Sequence, residues 1–388
     1  MSEPTSVSDT SRDKVTEAGV AVIGGGMVGS ALAYGLAKRG ANVVLLDEGD
    51  IAYRAARGNF GLVWTQSKGD GMPAYAAWSL ASAAAWPDFA EAMASAAGRS
   101  IGYEQRGGLV FCVGDAERDQ RAAQLRRLHN QRDDAAPVAT MLDRKALHDL
   151  MPRTPLGPQV VAASYAPGDG HVNPLYLLRG LHAAIRRHGG RHAPGAAVTQ
   201  IVPTGGGFTL TRADGAMLRA DRIVIAAGVA TTRLAAMVDI AAPVRPQRGQ
   251  IMVTERLAPL LPLPASALRQ SAEGSVMIGV SVEEVGLDTG TTVKELARMA
   301  ARALTVLPVL AEARMTRAWG ALRPMTPDGF PAYAQSSTYP GAFVATCHSG
   351  VTLAAIHAEA LAPAILAGRL PDGFEPFHPR RFDVRTAA

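Results

Sequence analysis

The chain has 388 residues, 48% of them hydrophobic, enough to bury a substantial core and to form two or three domain-sized units. Its net charge of +5 and pI near 9.4 raise the question of an anionic macromolecular partner. Only five of the 39 basic residues are lysines, however, and the arginines are scattered, the pattern of a solvated surface and not of a nucleic-acid stripe. A mildly positive field still favours an anionic small molecule.

Residues 1–17 are polar and charged without an apolar segment, and read as a disordered tail and not a signal peptide. No apolar run reaches the ~18 residues needed to span a bilayer, so no membrane span is expected. Cys112 and Cys347 lie far apart, with no metal-ligand or CxxC spacing. They predict no metal site and a reduced, cytoplasmic setting.

The first structured segment reads Val20-Ala21-Val22-Ile23-Gly24-Gly25-Gly26-Met27-Val28-Gly29, and a second apolar run ends at Asp47-Glu48. This is a dinucleotide fingerprint in its full context of strand, glycine turn, helix and second strand with an acidic tip. Gly24 allows the tight turn, Gly26 lets backbone approach a pyrophosphate, and Gly29 lets the helix pack on the sheet. The N–H groups at the start of the helix, from Met27 and Val28, then face the phosphates. Asp47 lies 23 residues after Gly24, where a carboxylate reaches a ribose hydroxyl. The fingerprint alone does not choose between FAD and NAD.

A glycine-punctuated stretch, residues 54–69, follows, and then an Ala-rich helix is expected over 74–97 and a strand over 108–112. Residues 115–150 are charged and helix-like. Asp169 to Pro174 reads as a loop before a helix over 175–188. Ala213-Asp214-Gly215 signals a hairpin, and Gly205-Gly206-Gly207 another turn. Residues 222–228 form a short apolar run typical of a buried parallel strand, whereas 249–255 alternate as an antiparallel strand does. The fold class expected is α/β: a Rossmann-like nucleotide-binding domain with an inserted substrate domain on a mostly antiparallel sheet. The nucleotide-binding part is expected over 18–75, 150–240 and 320–385, and the substrate part over 76–149 and 241–319.

Seven motifs in order carry a resemblance. They are the fingerprint with Asp47; Asn59-Phe60-Gly61; Asp169-Gly170 followed by Pro174; Ala226-Ala227-Gly228; Arg245 to Gln250; Ile278-Gly279 before Glu283-Glu284; and Gly320 to Gly329 with His348 to Ala354. Together they resemble the D-amino-acid oxidase superfamily of FAD-dependent oxidoreductases, along nearly the whole chain. Residues 57–68 are most similar to the flavin subunits of opine oxidases, hydrogen cyanide synthase and D-hydroxyproline dehydrogenase. The resemblance implies a fold of the glycine oxidase type.

It also implies non-covalent FAD, because Met325 and Thr326 stand where some relatives tether flavin through Cys. Cofactor contacts are then expected from Gly24, Gly26, Met27, Val28, Gly29, Asp47, Glu48, Asn59, Phe60, Gly61, Val198, Ala227, Gly228, Ser349, Gly350, Val351 and Thr352. Donors at Gly350 to Thr352 would stabilise the anionic pyrimidine end of the reduced ring. Arg323, in Gly-x-x-Arg-Pro, is the implied ligand of a substrate carboxylate. Lys68 is either a charge near flavin N5 or an exposed lid lysine; His171 and His348 are active-site neighbours or ordinary buried histidines.

The expected reaction is oxidation of a carboxylated primary or secondary amine (a D-amino acid, a cyclic imino acid or an opine) to an imine. No second fingerprint exists for a pyridine nucleotide, so electrons pass to oxygen or to a protein acceptor. Two alternatives stay open: a flavin subunit dependent on electron-carrier partners, and a hydroxy-acid dehydrogenase on the same fold. Expected partners are an amino-acid-like substrate and either further copies of the chain or electron-acceptor subunits.

Overall fold

The computed structural model describes residues 16–49, 55–132 and 136–383. Its frame is an eight-stranded sheet of β1 (Thr16–Ile23), β2 (Val43–Leu46), β8 (Arg191–Ala193), β9 (Val198–Thr204), β10 (Gly207–Arg212), β11 (Met217–Ile225), β16 (Ala332–Gln335) and β17 (Ala342–Thr346). The main path runs β16-β17-β11-β1-β2-β8, parallel except for β16 on β17. β1 is central because it is apolar on both faces: Val20 and Val22 enter one core, Ala21 and Ile23 the other. β1 also begins earlier than expected. Thr16 to Ala18 pair with Leu218 to Ala220, so the end of the expected tail is strand, while residues 1–15 lie outside the described residues.

β11 performs two jobs that the sequence reads as two elements. Its first half closes an antiparallel hairpin with β10, and its second half runs parallel to β17. Helix α1 (Met27–Ala37) follows the glycine turn and is buried on all sides between the sheet and a C-terminal helical run. That run comprises α8 (Ala354–Ile356), a π turn (His357–Leu361) and α9 (Ala362–Leu366). At Gly35 a Cβ would stand 2.3 Å from the Ala358 carbonyl oxygen, so only glycine allows the two to touch backbone to backbone.

A second, four-stranded antiparallel sheet has the order β13 (Leu268–Gln270), β14 (Ser275–Gly279), β12 (Arg245–Arg256), β15 (Met315–Met325). Alternation gives it two different faces. Met252, Leu268, Val276 and Ile278 join a core with α7 (Val293–Val306), whereas Ile251 and Met277 on the opposite face meet Phe60. A three-stranded sheet, β4 (Gly108–Val113), β6 (Val160–Ala166) and β5 (Thr140–Asp143), packs on the first of these cores. A two-stranded ladder, β3 (Leu62–Val63) with β7 (Gly170–His171), lies between the large units.

The helices expected over 74–97 and 175–188 are α2 (Pro73–Ala97) and α5 (Pro174–Arg187). Asn173 caps α5 through bonds from the Leu175 and Tyr176 N–H groups. The reading of 115–150 as uniformly helix-like is corrected. α3 (Gly114–Asn130) and α4 (Arg144–Leu150) are separated by strand β5, whose four residues lack a burial alternation and exist through pairing with β6. Asp143 at the end of that strand then caps α4 by accepting from the Ala146 N–H at 2.8 Å.

Candidate active site

The glycine turn between β1 and α1 is forced by contact. Gly24 adopts φ +110°, and a Cβ there would stand 2.3 Å from the Ala226 oxygen. At Gly29 a Cβ would come within 1.9 Å of the Gly24 oxygen. Gly26 differs: its Cβ would meet only Ala56 Cβ, at 3.8 Å, so the space above it is open to a ligand. Asp47, at the tip of β2, accepts the Gly25 N–H at 2.7 Å and the Gly49 N–H at 3.1 Å. The acidic tip and the glycine turn are therefore one rigid unit.

This unit forms one side of a cavity of about 810 Å³. Gly24, Gly26, Met27, Val28, Asp47, Glu48, Asn59, Val198, Ala227, Gly228, His348 and Gly350, all expected from the sequence, line it. Arg57, Arg233, Leu287, Thr289 and Cys347 also line it and were not among the expected contacts. Burial pushes the Cys347 thiol up to about 12, so it stays protonated beside the cavity.

At the far end, the turn after β17 begins a helical course: Leu353 N–H donates to the Ser349 oxygen. The N–H groups of Gly350, Val351 and Thr352 have no protein acceptor among the described residues, as expected of a first helical turn. The assigned helix starts only at Ala354. The residues fit FAD: an open glycine face for pyrophosphate, a carboxylate for ribose, and unpaired N–H donors for the electron-rich end of the ring.

Some expected contacts have other work in this structure. Val351 is core, and Gly29 packs the helix. Thr352 Oγ1 accepts the Trp64 N–H, while its carbonyl accepts from Ser82 and Trp86 of α2. Gly61 takes φ +87° against the Val172 oxygen, and Asn59 Oδ1 accepts the Gly61 N–H. Phe60 lies on the inner face of the four-stranded sheet.

Lys68, His348 and Ser349 come together, and Tyr75 joins them. Lys68 Nζ is 2.8 Å from Ser349 Oγ and 3.3 Å from His348 Nε2, and the Tyr75 hydroxyl is 2.5 Å from the same Ser349 Oγ. Burial, reinforced by the Arg323 charge, lowers Lys68 to about 8. His348 is pushed down to about 3 by burial and by Lys68 and Arg323, so it is neutral and accepts from Lys68. Lys68 is thus no exposed lid lysine. Tyr75 is not among the residues expected from the sequence, yet Tyr75, Ser79, Ser82 and Trp86 fall at helical spacing on one face of α2. A mixed polar and aromatic stripe inside an Ala-rich helix is the signal that this face meets more than core.

Arg323 lies on β15 with its guanidinium over Gly249, where a Cβ would stand 2.2 Å from Nη2. It donates to the Ser281 oxygen at 3.0 Å and more distantly to Gln247 Oε1 and the Arg248 oxygen. No ion pair neutralises it among the described residues, and burial lowers its pKa. Next to it, Arg248 is 2% exposed and ion-paired with Glu283 at 2.7 Å and with Asp288, fixing the loop that offers the Ser281 carbonyl. His171 stands apart from this cluster, pairing through β7 with β3 and lying 3.4 Å from Arg269.

A fold with this cavity and this charged corner defines a nucleotide-dependent redox protein, and the chain belongs to the FAD dependent oxidoreductase family, whose model matches residues 19–364. It is 40% identical over 371 residues to an opine oxidase subunit of Agrobacterium tumefaciens (strain Ach5), covering 96% of this chain and 99% of that protein. It is 26% identical to the hydrogen cyanide synthase subunit HcnC of Pseudomonas aeruginosa, over 95% and 97% of the two chains. The crystal structure of glycine oxidase from Geobacillus kaustophilus superposes with a TM-score of 0.86 at 24% identity, covering 95% of this chain and 99% of that one. The protein is an FAD-dependent oxidoreductase with the glycine oxidase fold. No helix among the described residues is long and apolar enough to cross a membrane, and none of their acidic, His and Cys groups cluster as a metal site.

Proposed function

We propose that this chain oxidises a carboxylated amine, primary or secondary, to an imine that water then hydrolyses, as the flavin-bearing member of an assembly with electron-accepting subunits. The observation that carries this reading is Lys68 lying 3.3 Å from His348, which lines the cavity, and 2.8 Å from Ser349, with the carboxylate-free guanidinium of Arg323 also bearing on that imidazole. Bound FAD would supply the two-electron acceptor, held non-covalently by the glycine turn and Asp47. Among the described residues Arg323 has no acceptor for its Nε–H and no carboxylate partner, so it can take a substrate carboxylate and fix the orientation of Cα. An ammonium substrate must lose a proton before its Cα gives up hydride. Lys68, lowered to about 8 and hydrogen-bonded to neutral His348 and to Ser349, would accept it. Ser349 and Tyr75 hold that amine in place. The assembly part rests on the names of two relatives, both of them subunits: that of opine oxidase and that of hydrogen cyanide synthase.

The test is anaerobic bleaching of the purified yellow protein by D-amino acids, N-alkyl glycines, cyclic imino acids and opines, with release of ammonia or amine measured. Bleaching by 2-hydroxy acids alone, without amine release, would replace this reading by the hydroxy-acid alternative. Rapid bleaching by NADH or NADPH would overturn the assignment of the acceptor. Turnover with a dye but not with oxygen supports the dependence on other subunits.

A further inference from the structure

The turn that carries Lys68 rests on two buried charges of opposite sign that meet across an amide. Asp169, between β6 and β7, is fully buried. Its Oδ1 accepts the Thr65 N–H and the Thr65 hydroxyl, each at 2.6 Å, and its Oδ2 accepts from Gln66 Nε2 at 2.9 Å. On the other side of Gln66 stands Arg121 from α3, 6% exposed. Arg121 Nη2 donates to Gln66 Oε1 at 2.8 Å and to the Gln66 carbonyl at 2.9 Å, and Nη1 donates to Ser67 Oγ. Its Nε donates to Ser164 Oγ, which donates in turn to Gln66 Oε1. The Lys68 N–H closes the turn onto the Thr65 oxygen at 2.9 Å.

Chemistry fixes the direction of these bonds. A guanidinium only donates, so Gln66 must turn Oε1 to Arg121 and Nε2 to Asp169. Each oxygen of Asp169 is therefore met by an N–H that can only donate, which is the surrounding of an ionised carboxylate. Burial pushes the Asp169 carboxyl up, and the bonds from Thr65 and Gln66 pull it back. The remaining groups around Lys68 supply no anion. Burial keeps Tyr75 and Cys347 protonated, His348 is neutral, and Arg323 is a second cation. Asp169 is the negative charge that bears on Lys68 and favours its ammonium form.

We propose that Asp169 is a positioning residue that fixes the Lys68 turn and sets the pH at which Lys68 changes charge. This rests on the reading of Lys68 as the proton acceptor and adds its regulation. A base must bind the proton that it takes. A desolvated lysine beside Arg323 binds protons poorly, and the Asp169 carboxylate offsets that loss without occupying the Lys68 amine, which stays free for Ser349 and His348.

The chain has five lysines, so NMR of isotope-labelled lysine side chains gives few signals, and Lys68→Met identifies the one that matters. In the FAD-loaded parent this signal should titrate near pH 8. Asp169→Asn removes the charge with little change of shape, and the midpoint should fall by about one pH unit. As a fraction of its own high-pH plateau, kcat/KM at pH 7 should then rise about fivefold. A purely structural residue would lower the plateau and leave the midpoint in place. Asp70→Asn is the control: it removes a carboxylate two residues from Lys68 that is paired with Arg127, and should not move the midpoint. Asp169→Ser, which leaves room for water beside Thr65 and Gln66, removes the same charge and carries the test if the Asn variant does not fold. An unmoved midpoint in the Asp169 variants, or an equal fall in Asp70→Asn, overturns the proposal. The titration needs no substrate. A lowered midpoint in a protein that oxidises no amine would keep the role of Asp169 and remove the reading of Lys68 as the base.

Discussion

The nucleotide cradle lines the large cavity and the charged corner meets it through His348, but the two are built in opposite ways. The cradle is local: Gly24 to Gly29, closed by Asp47 onto the Gly25 N–H, all within one strand–helix–strand unit. Its selectivity is steric, a matter of where a Cβ fits. The corner joins Lys68 and Tyr75 to His348 and Ser349 across some 280 residues of sequence, and Arg323 arrives on a separate sheet. Its selectivity is electrostatic, because it gathers positive charge where solvent is excluded. The teaching is that affinity for the cofactor and selection of the substrate are separable here by mutation.

The largest effects should come from the cradle. Gly26→Val is expected to fold with the unfolding temperature of the flavin-free parent yet purify colourless, since the added side chain meets only Ala56 in the protein and blocks the pyrophosphate. Gly29→Val should instead lose soluble protein, because its Cβ has 1.9 Å to the Gly24 oxygen. Like outcomes for the two would erase the distinction between ligand space and packing.

At the corner, Arg323→Ala should lower kcat/KM by roughly 30- to 1000-fold, the loss of a charge-assisted pair worth about 2–5 kcal/mol. FAD content should remain near normal. Loss of FAD in this variant would make Arg323 part of the cradle and end the separation drawn above. Lys68→Met should cost roughly 100-fold and remove the limb of the kcat/KM profile that rises through pH 8. The same shift has a stability sign. Lys68 is lowered in the fold from 10.5 to about 8, so the unfolded chain binds more protons between these values. Its contribution is present above 10.5 and is lost as pH falls through 8; the methionine variant should lack that slope in thermal unfolding.

The smallest effect on chemistry should come from Arg121→Met. It orphans the Gln66 carbonyl oxygen and Ser67 Oγ, each costing roughly 1–3 kcal/mol if left buried and unpaired, while Gln66 Oε1 keeps its bond from Ser164. The unfolding temperature should fall while KM for the substrate stays within about twofold. A larger change in KM would mean that Arg121 also acts on the substrate through the loop carrying Lys68.

The cradle was legible because each of its constraints is local. A positive-φ turn, a close helix–strand approach and an acidic strand tip each need a particular residue at a fixed spacing, so the turn at Gly24 and the packing at Gly29 could be named, with Gly26 and Asp47 placed beside them. The periodicity of α2 and α5 was legible for the same reason. Strand β5 was not, because four residues without alternation form a strand only through their partner β6. Lys68 could not be told from a surface lysine by sequence, since its lowered pKa arises from burial against a turn 280 residues away. Asp169 looked like the start of any loop. Only the docking of that loop on Thr65 and Gln66 buries its charge beneath the Lys68 turn. The sequence by itself determined the nucleotide turn and the family of fold; the tertiary structure decided which charges are desolvated, and desolvation is what converts an ordinary cation into a site.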